Sequence, residues 1–132
     1  MGLYQERTID PKILAVYNAT GSTILKGTIV KHVTPTAVPG SVTPATAATD
    51  PFFAIAMQDI LNLQYGDGQV GGVAIVLAGA TIAAGINITS DGSGKAAAAA
   101  AGNAIVGVSM TDGVNNGYME VLLGLPGGEA NN

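Results

Sequence analysis

The 132 residues include no cysteine and no tryptophan, and histidine appears once. Without thiols the chain carries neither a disulfide framework nor a Cys-based metal or redox centre, and its redox compartment stays open. Charge is scarce as well, with five basic and nine acidic residues giving a net charge of -4. The basic residues Arg7, Lys12, Lys26, Lys31 and Lys95 are scattered. A nucleic-acid groove needs Lys and Arg gathered to meet phosphates, so no nucleic-acid partner is expected. Aromatics make up only 5% of the chain, too few for the stacking platforms of a typical sugar site. The N-terminus, Met1 to Asp10, lacks a basic start followed by an apolar run and does not read as a signal peptide. The uncharged stretch Gln69 to Ser90 is long enough to cross a bilayer. Its Gly, Thr and Asn residues argue instead for β-structure, and no membrane partner is expected.

The chemistry of catalysis is missing too. His32 has no cysteine to pair with, and no serine sits in a strained nucleophile motif. Asp91-Gly-Ser-Gly94 lacks the alternating carboxylates and closing Glu of a calcium loop. The glycines at Gly66, Gly68, Gly71 and Gly72 are not followed by the Lys-Ser/Thr of a phosphate loop. The expectation is therefore no enzyme: no catalytic residue, no metal ligand and no cofactor.

What the sequence does contain is abundant Gly, Ala, Val, Ile and Thr, and an internal echo. Val73 to Thr89 passes from one strand-like run through a Gly-bounded corner into another without a charge. Gly21-Ser-Thr-Ile-Leu-Lys-Gly27 aligns with Gly79-Ala-Thr-Ile-Ala-Ala-Gly85, placing Thr23 over Thr81 and Ile24 over Ile82. Ala54 to Asp59 resembles Gly107 to Asp112 with Met and Asp in register, which gives Asp59 and Asp112 a shared turn-capping role. Val73 to Leu77 is set against Met119 to Leu123. Two β units, each with an apolar face, would bury those faces on each other.

These patterns predict an all-β fold, a small barrel or sandwich of two similar units spanning 13–77 and 78–124 in one domain. An extended N-terminal arm (1–12) precedes it and a loose tail (125–132) follows. Prolines 35, 39, 44 and 51 mark Thr34 to Pro51 as an extended surface excursion without regular structure. Gln58 to Gly68 reads as a second excursion with a helical turn near Ile60. Phe52 and Phe53 anchor the core. Ser90-Asp-Gly-Ser-Gly94 is a hairpin signal. The alanines at 96–101 invite a helix, yet Gly94 and Gly102 bracket them too closely, so a short strand is expected at 95–97. So little charge also favours association, and a homo-oligomer or a member of a larger assembly is expected.

The run Gly79 to Lys95, then Ile105 to Met110, then Tyr118 to Leu123 resembles the capsid decoration (cement) proteins of tailed bacteriophages. The resemblance covers about the C-terminal half and leaves out the Pro-rich excursion. It implies a β-rich, commonly trimeric protein, made in the host cytoplasm. Such a protein sits on the outer capsid surface of the virion and bridges neighbouring major capsid proteins. Under that reading the interface candidates are Leu3, Tyr4 and Ile9 of the arm, with Val38, Pro39 and Val42 of the Pro-rich loop. A tail, fibre or appendage subunit shares the same composition and is the alternative. A carbohydrate-binding module is a weaker one.

Overall fold

The computed structural model describes residues 12–33 and 38–124. Among them the fold is all-β, with ten strands: β1 (Lys12–Asn18), β2 (Ile29–His32), β3 (Ser41–Pro44), β4 (Ala54–Ala56), β5 (Gln64–Gly71), β6 (Val73–Leu77), β7 (Asn87–Ser90), β8 (Ala96–Ala98), β9 (Gly107–Ser109) and β10 (Tyr118–Leu123). The first five close into a barrel in the order β1-β3-β2-β4-β5, and the last five form a sheet in the order β6-β10-β9-β7-β8. Val16, Ile24, Val30, Val42 and Ile60 pack inside the first barrel. No helix among the described residues is long and apolar enough to cross a membrane, and Gln69 to Ser90 runs through β5, β6 and β7.

The two units have one topology. β1 pairs parallel with β3 and antiparallel with β5, while β2 pairs antiparallel with β3 and β4. In the second unit β6 pairs antiparallel with β10, β10 with β9, β9 with β7 and β7 with β8, and a parallel bridge joins Ala78 to Ala96. Thus β1 to β5 correspond in order to β6 to β10. The Gly-corner alignment holds at the level of single bonds. Ile24 bridges Ile60 as Ile82 bridges Gly113. The Asp59 Oδ1 accepts the Lys26 N–H at 2.8 Å, and the Asp112 Oδ1 accepts the Ala84 N–H at 2.9 Å, the shared capping role expected for this pair.

Strand pairing corrects the boundary between units. Val73 to Leu77 is not the end of the first unit but the opening strand of the second. It pairs with Tyr118 to Leu122 as Ile13 to Tyr17 pairs with Tyr65 to Gln69. The similarity of Val73–Leu77 to Met119–Leu123 is that of two paired strands with the same alternation, not of two equivalent ones. Two excursions also change. Ser41–Pro44 is a strand between β1 and β2, because its one proline lies at the end, where Ala45 takes over the ladder with an N–H to the Ile29 carbonyl. Gln64–Gly71 is the longest strand, with Gly66 and Gly68 inside it. A Cβ at Gly66 would lie 2.5 Å from Ile60 Cγ1, and one at Gly68 would lie 3.0 Å from Ala54 Cβ and Val16 Cγ1. These glycines make room in a narrow barrel and do not mark a turn. Ile60 sits in the bridge with Ile24 and not in a helical turn.

The hairpin at Ser90 to Gly94 and the alanine strand both form, β7 pairing with β8 at Ile88 to Ser90 against Ala96 to Ala98. The reversal turns at Gly94, where φ is 78°, while the Asp91 carboxylate accepts the N–H groups of Ser93 and Lys95. Phe52 is buried, as expected of a core anchor.

The second unit's sheet is not closed into a barrel by its own backbone. In the first unit the Tyr17 N–H donates to the Gly40 carbonyl at 2.8 Å and shuts the seam between β1 and β3. Their counterparts, Leu77 and Gly94, do not meet. Instead the Leu77 N–H donates to the Gly27 carbonyl at 2.9 Å and the Ile29 N–H donates to the Gly94 carbonyl at 2.7 Å. Segment 27–29 of the first unit is thus inserted into the seam of the second. Ile29, Ile55, Phe52 and Ala45 consequently join the same core cluster as Val76, Ile82, Ile88, Val106, Met119 and Val121. Loop 45–51 adds staples: the carbonyls of Ala47 and Ala48 accept the Ser90 and Thr89 hydroxyls, and that of Ala48 also the Ala104 N–H.

Candidate interaction surface

Strand alternation sends Val16 inward and leaves Ile13, Ala15 and Tyr17 on the outer face of β1. The register sets Tyr17 beside Tyr65 of β5, and the two rings lie 4.9 Å apart at 59°. The Tyr65 hydroxyl reaches the Pro39 carbonyl at 3.5 Å, at the limit of a hydrogen bond. Beyond Tyr65 the chain turns through Leu63, which is 65% exposed, and Leu61, which is also exposed.

Leu63 has φ of 64°, a left-handed conformation that costs a leucine about 1–2 kcal/mol. Its N–H donates to the Asn18 carbonyl at 2.6 Å, which holds the turn shut. Asn18 is itself buried, its amide donating to the carbonyls of Ser22 and Ile60 at 2.7 Å each. The equivalent residue of the second unit is Asn116, at φ of 67°, a residue type that tolerates this region. An apolar side chain held in this conformation and presented to water makes Leu63 a candidate contact residue.

The second unit repeats the pattern. Val114 and Tyr118 occupy the positions of Leu61 and Tyr65, and both are exposed. Lys26 Nζ lies 5.5 Å from the centroid of the Tyr118 ring. Each unit therefore shows an apolar residue and a tyrosine to solvent at the same end.

Of the sequence-derived interface candidates, Pro39 is exposed under the tyrosine pair and Val38 is half-buried in the same turn. Val42 is a correction. It is 1% exposed and packs inside the first barrel, because β3 is a strand and directs this side chain inward. Leu3, Tyr4 and Ile9 lie outside the described residues. Tyr17, Leu61, Leu63 and Tyr65 were missed; recognising β5 would have revealed Tyr65, but no local signal marks Leu63.

Elsewhere the surface holds little chemistry. His32 packs edge-on against Phe53 at 5.3 Å, beside a hollow of about 170 Å³ lined by Lys31, Pro51 and the two phenylalanines. Among the described residues, no group of His and acids is placed to hold a metal ion. Asp50 accepts the N–H groups of Thr46 and Ala47 and pairs with Lys31 at 3.1 Å. The Thr46 backbone N–H is the main cause that holds its carboxyl below the usual range, helped by Lys31 and opposed by burial. That pair orders the 45–51 staple and touches nothing reactive.

With this geometry in place, one solved structure can be set beside it. The N base of the head fibre protein gp8.5 of bacteriophage phi29 superposes with a TM-score of 0.68, covering 89% of this chain and 99% of that one at 13% identity. The fold is similar to a phage head-fibre base. At that identity the likeness is one of fold. No protein-family model matches the sequence, and no curated protein matches it significantly.

Proposed function

We propose that this chain is a structural, non-enzymatic component of a phage virion that binds the outer surface of the assembled head, as a homotrimer, and bridges neighbouring major capsid proteins. The observation that carries this reading is the duplicated apolar end, Leu61 with Tyr65 in one unit and Val114 with Tyr118 in the other. A doubled patch suits a partner that is itself repeated, and a shell of identical subunits is such a partner. Two weak contacts made together raise the apparent affinity far above either alone, so the lattice is preferred over free subunits. Preference for the assembled state is what stabilises it. The likeness to a head-fibre base supports a virion role and also favours a second reading, the subunit of a fibre or appendage.

Co-sedimentation with empty heads separates these readings from any other. The full chain should pellet with heads and not with unassembled capsid protein, and a version lacking residues 1–10, which include Leu3, Tyr4 and Ile9, should bind much more weakly while staying folded. Equal binding to free subunits and heads would defeat the bridging role. Open polymers of the purified chain would favour the fibre reading.

A further inference from the structure

One strand of the first barrel has an edge that the described residues do not fill. β3 pairs with β1 only at Tyr17 and Asn18, opposite Ser41 and Val42. Backbone groups alternate in direction along a strand, and two bonds fix which of them point to that edge. The Tyr17 N–H crosses to the Gly40 carbonyl, and Asp67, the partner of Ala15, turns its own carbonyl away from β1 to the Met57 N–H. Ile13 and Ala15 therefore direct their N–H groups away from β5, to the side where no described residue accepts them. Gly40 stands against the Ala15 carbonyl, so the open groups are the Ala15 N–H and both backbone groups of Ile13. All four residues from Lys12 to Ala15 are exposed, Ile13 at 51% and Leu14 at 42%. At β6 the same edge is served by the first unit: the Gln69 side-chain amide donates to the Val73 carbonyl, and the Leu77 N–H reaches Gly27. An uncovered apolar strand edge is a template for another chain.

We infer that the N-terminal arm of a second copy fills this edge, its Leu3–Tyr4 stretch adding a strand beside Ile13 to Ala15. In strand addition main-chain bonds supply affinity and alternate side chains supply fit. The β1 edge shows an apolar side chain on each face, Ile13 on one and Leu14 on the other. Leu3 and Tyr4 are adjacent, so an extended strand likewise sends one apolar side chain to each face. A tight return of the arm onto its own β1 is barred. Pro11 holds φ at about −65°, whereas the favoured two-residue hairpin turns need left-handed residues. Extended chain from Lys12 back to Tyr4 spans about 26 Å, close to the width of a small domain, and reaches a neighbour. Each copy carries one arm and one edge, so the contact is heterologous and a closed ring uses every one of both. The assignment rests on the trimer proposed above and gives the arm its part in it: loss of residues 1–10 weakens head binding by releasing the subunits from one another.

The chain has no cysteine, so single thiols can be placed cleanly. Tyr4→Cys and Ala15→Cys are co-expressed, treated with a short bismaleimide and resolved on a denaturing gel. Linked dimer should form only where both variants are present. Ala15→Cys linking to itself would mean that β1 pairs with β1, and that result, or no linking at all, overturns the arm as occupant. In parallel, Ala15→Pro removes one open donor, whose N–H has no acceptor among the described residues, and proline is tolerated at a strand edge. By sedimentation velocity the wild-type trimer should fall to monomer both in Ala15→Pro and in the chain lacking residues 1–10. Mixing those two should give a one-to-one dimer and nothing larger, because one brings the arm and the other the edge. A wild-type chain that sediments as a monomer overturns trimer and assignment together. A trimeric wild type whose mass survives either change leaves the trimer standing and overturns the assignment. Far-UV circular dichroism checks that each variant folds; should Ala15→Pro fail, the cysteine pair decides alone.

Discussion

Gly27 and Gly85 hold the same place in the two units, at φ of 85° and 84°, yet they meet different surroundings. Replacing either by alanine forces an L side chain into the left-handed region, which costs about 1–2 kcal/mol. At Gly85 that is the whole cost, because a Cβ there has no heavy atom within 4 Å among the described residues. At Gly27 the Cβ would lie 2.9 Å from the Leu77 backbone nitrogen and 3.1 Å from Tyr118 Cε1. Leu77 is the residue that binds the inserted segment, so relief requires the seam to open. Overpacking of this kind adds about 1–3 kcal/mol. Unfolding entropy of about 2.1 cal/mol/K per residue converts 1 kcal/mol to roughly 4 °C for a chain of this length. Gly85→Ala should therefore lower Tm by about 4–8 °C and Gly27→Ala by about 8–20 °C. Thermal melts followed by circular dichroism measure both, and urea titrations with an unchanged m-value exclude a change in the denatured state. Equal losses at the two positions would show that segment 27–29 does not sit tightly in the second unit's seam.

Three further expectations follow from particular contacts. In the first unit Ile60 fills the space over Gly66, whereas in the second Met119 fills it over Gly113, so large and small have exchanged places. Ile60→Gly alone should cost about 3–5 kcal/mol, and adding Gly66→Met should recover about 1–3 kcal/mol of it in a double-mutant cycle. Additive losses would contradict the equivalence. Leu63→Asn borrows the residue of the second unit and relieves the left-handed strain. Tm should rise by about 2–4 °C, from a gain of about 0.5–1 kcal/mol, while head binding falls. A variant that binds as well as wild type would remove Leu63 from the contact surface. Asp50 is held below the ordinary carboxylate range in the fold, so its stabilisation is complete above about pH 4 and is lost as pH falls through the lower folded value. Asp50→Asn should accordingly be destabilising at neutral pH, with the gap to wild type closing in acid; a gap independent of pH would mean the ionised form is not what matters.

Local chemistry was legible in the sequence wherever a residue type forces a backbone conformation. The Gly corners, the hairpin at Ser90 to Gly94 and the refusal of the alanine run to form a helix belong to this class, as do the caps from Asp59 and Asp112. Long-range pairing was not. Two strands that pair with each other share their alternation and can look as alike as two that are equivalent, which is why Val73–Leu77 reads as the end of the first unit although it opens the second. Proline and glycine also carry more than one meaning: Pro44 ends a strand, and Gly66 and Gly68 lie inside one because their neighbours crowd them. The insertion at 27–29 leaves no mark in the sequence at all, since its hydrogen bonds are made by backbone atoms. Of the interface candidates read from the sequence, Pro39 lies on the surface and Val42 points inward, while the Tyr17–Tyr65 pair emerges only once the β1–β5 register is known.

The central claim is that the second unit is completed by the first. Expressing residues 12–71 and 72–124 separately, and recording the amide NMR spectrum of each alone and mixed, tests it most directly. The closed first barrel should give a dispersed spectrum alone, whereas 72–124 should give a collapsed one that becomes dispersed only when 12–71 is added. A 72–124 fragment that folds cooperatively alone and ignores its partner would contradict the account.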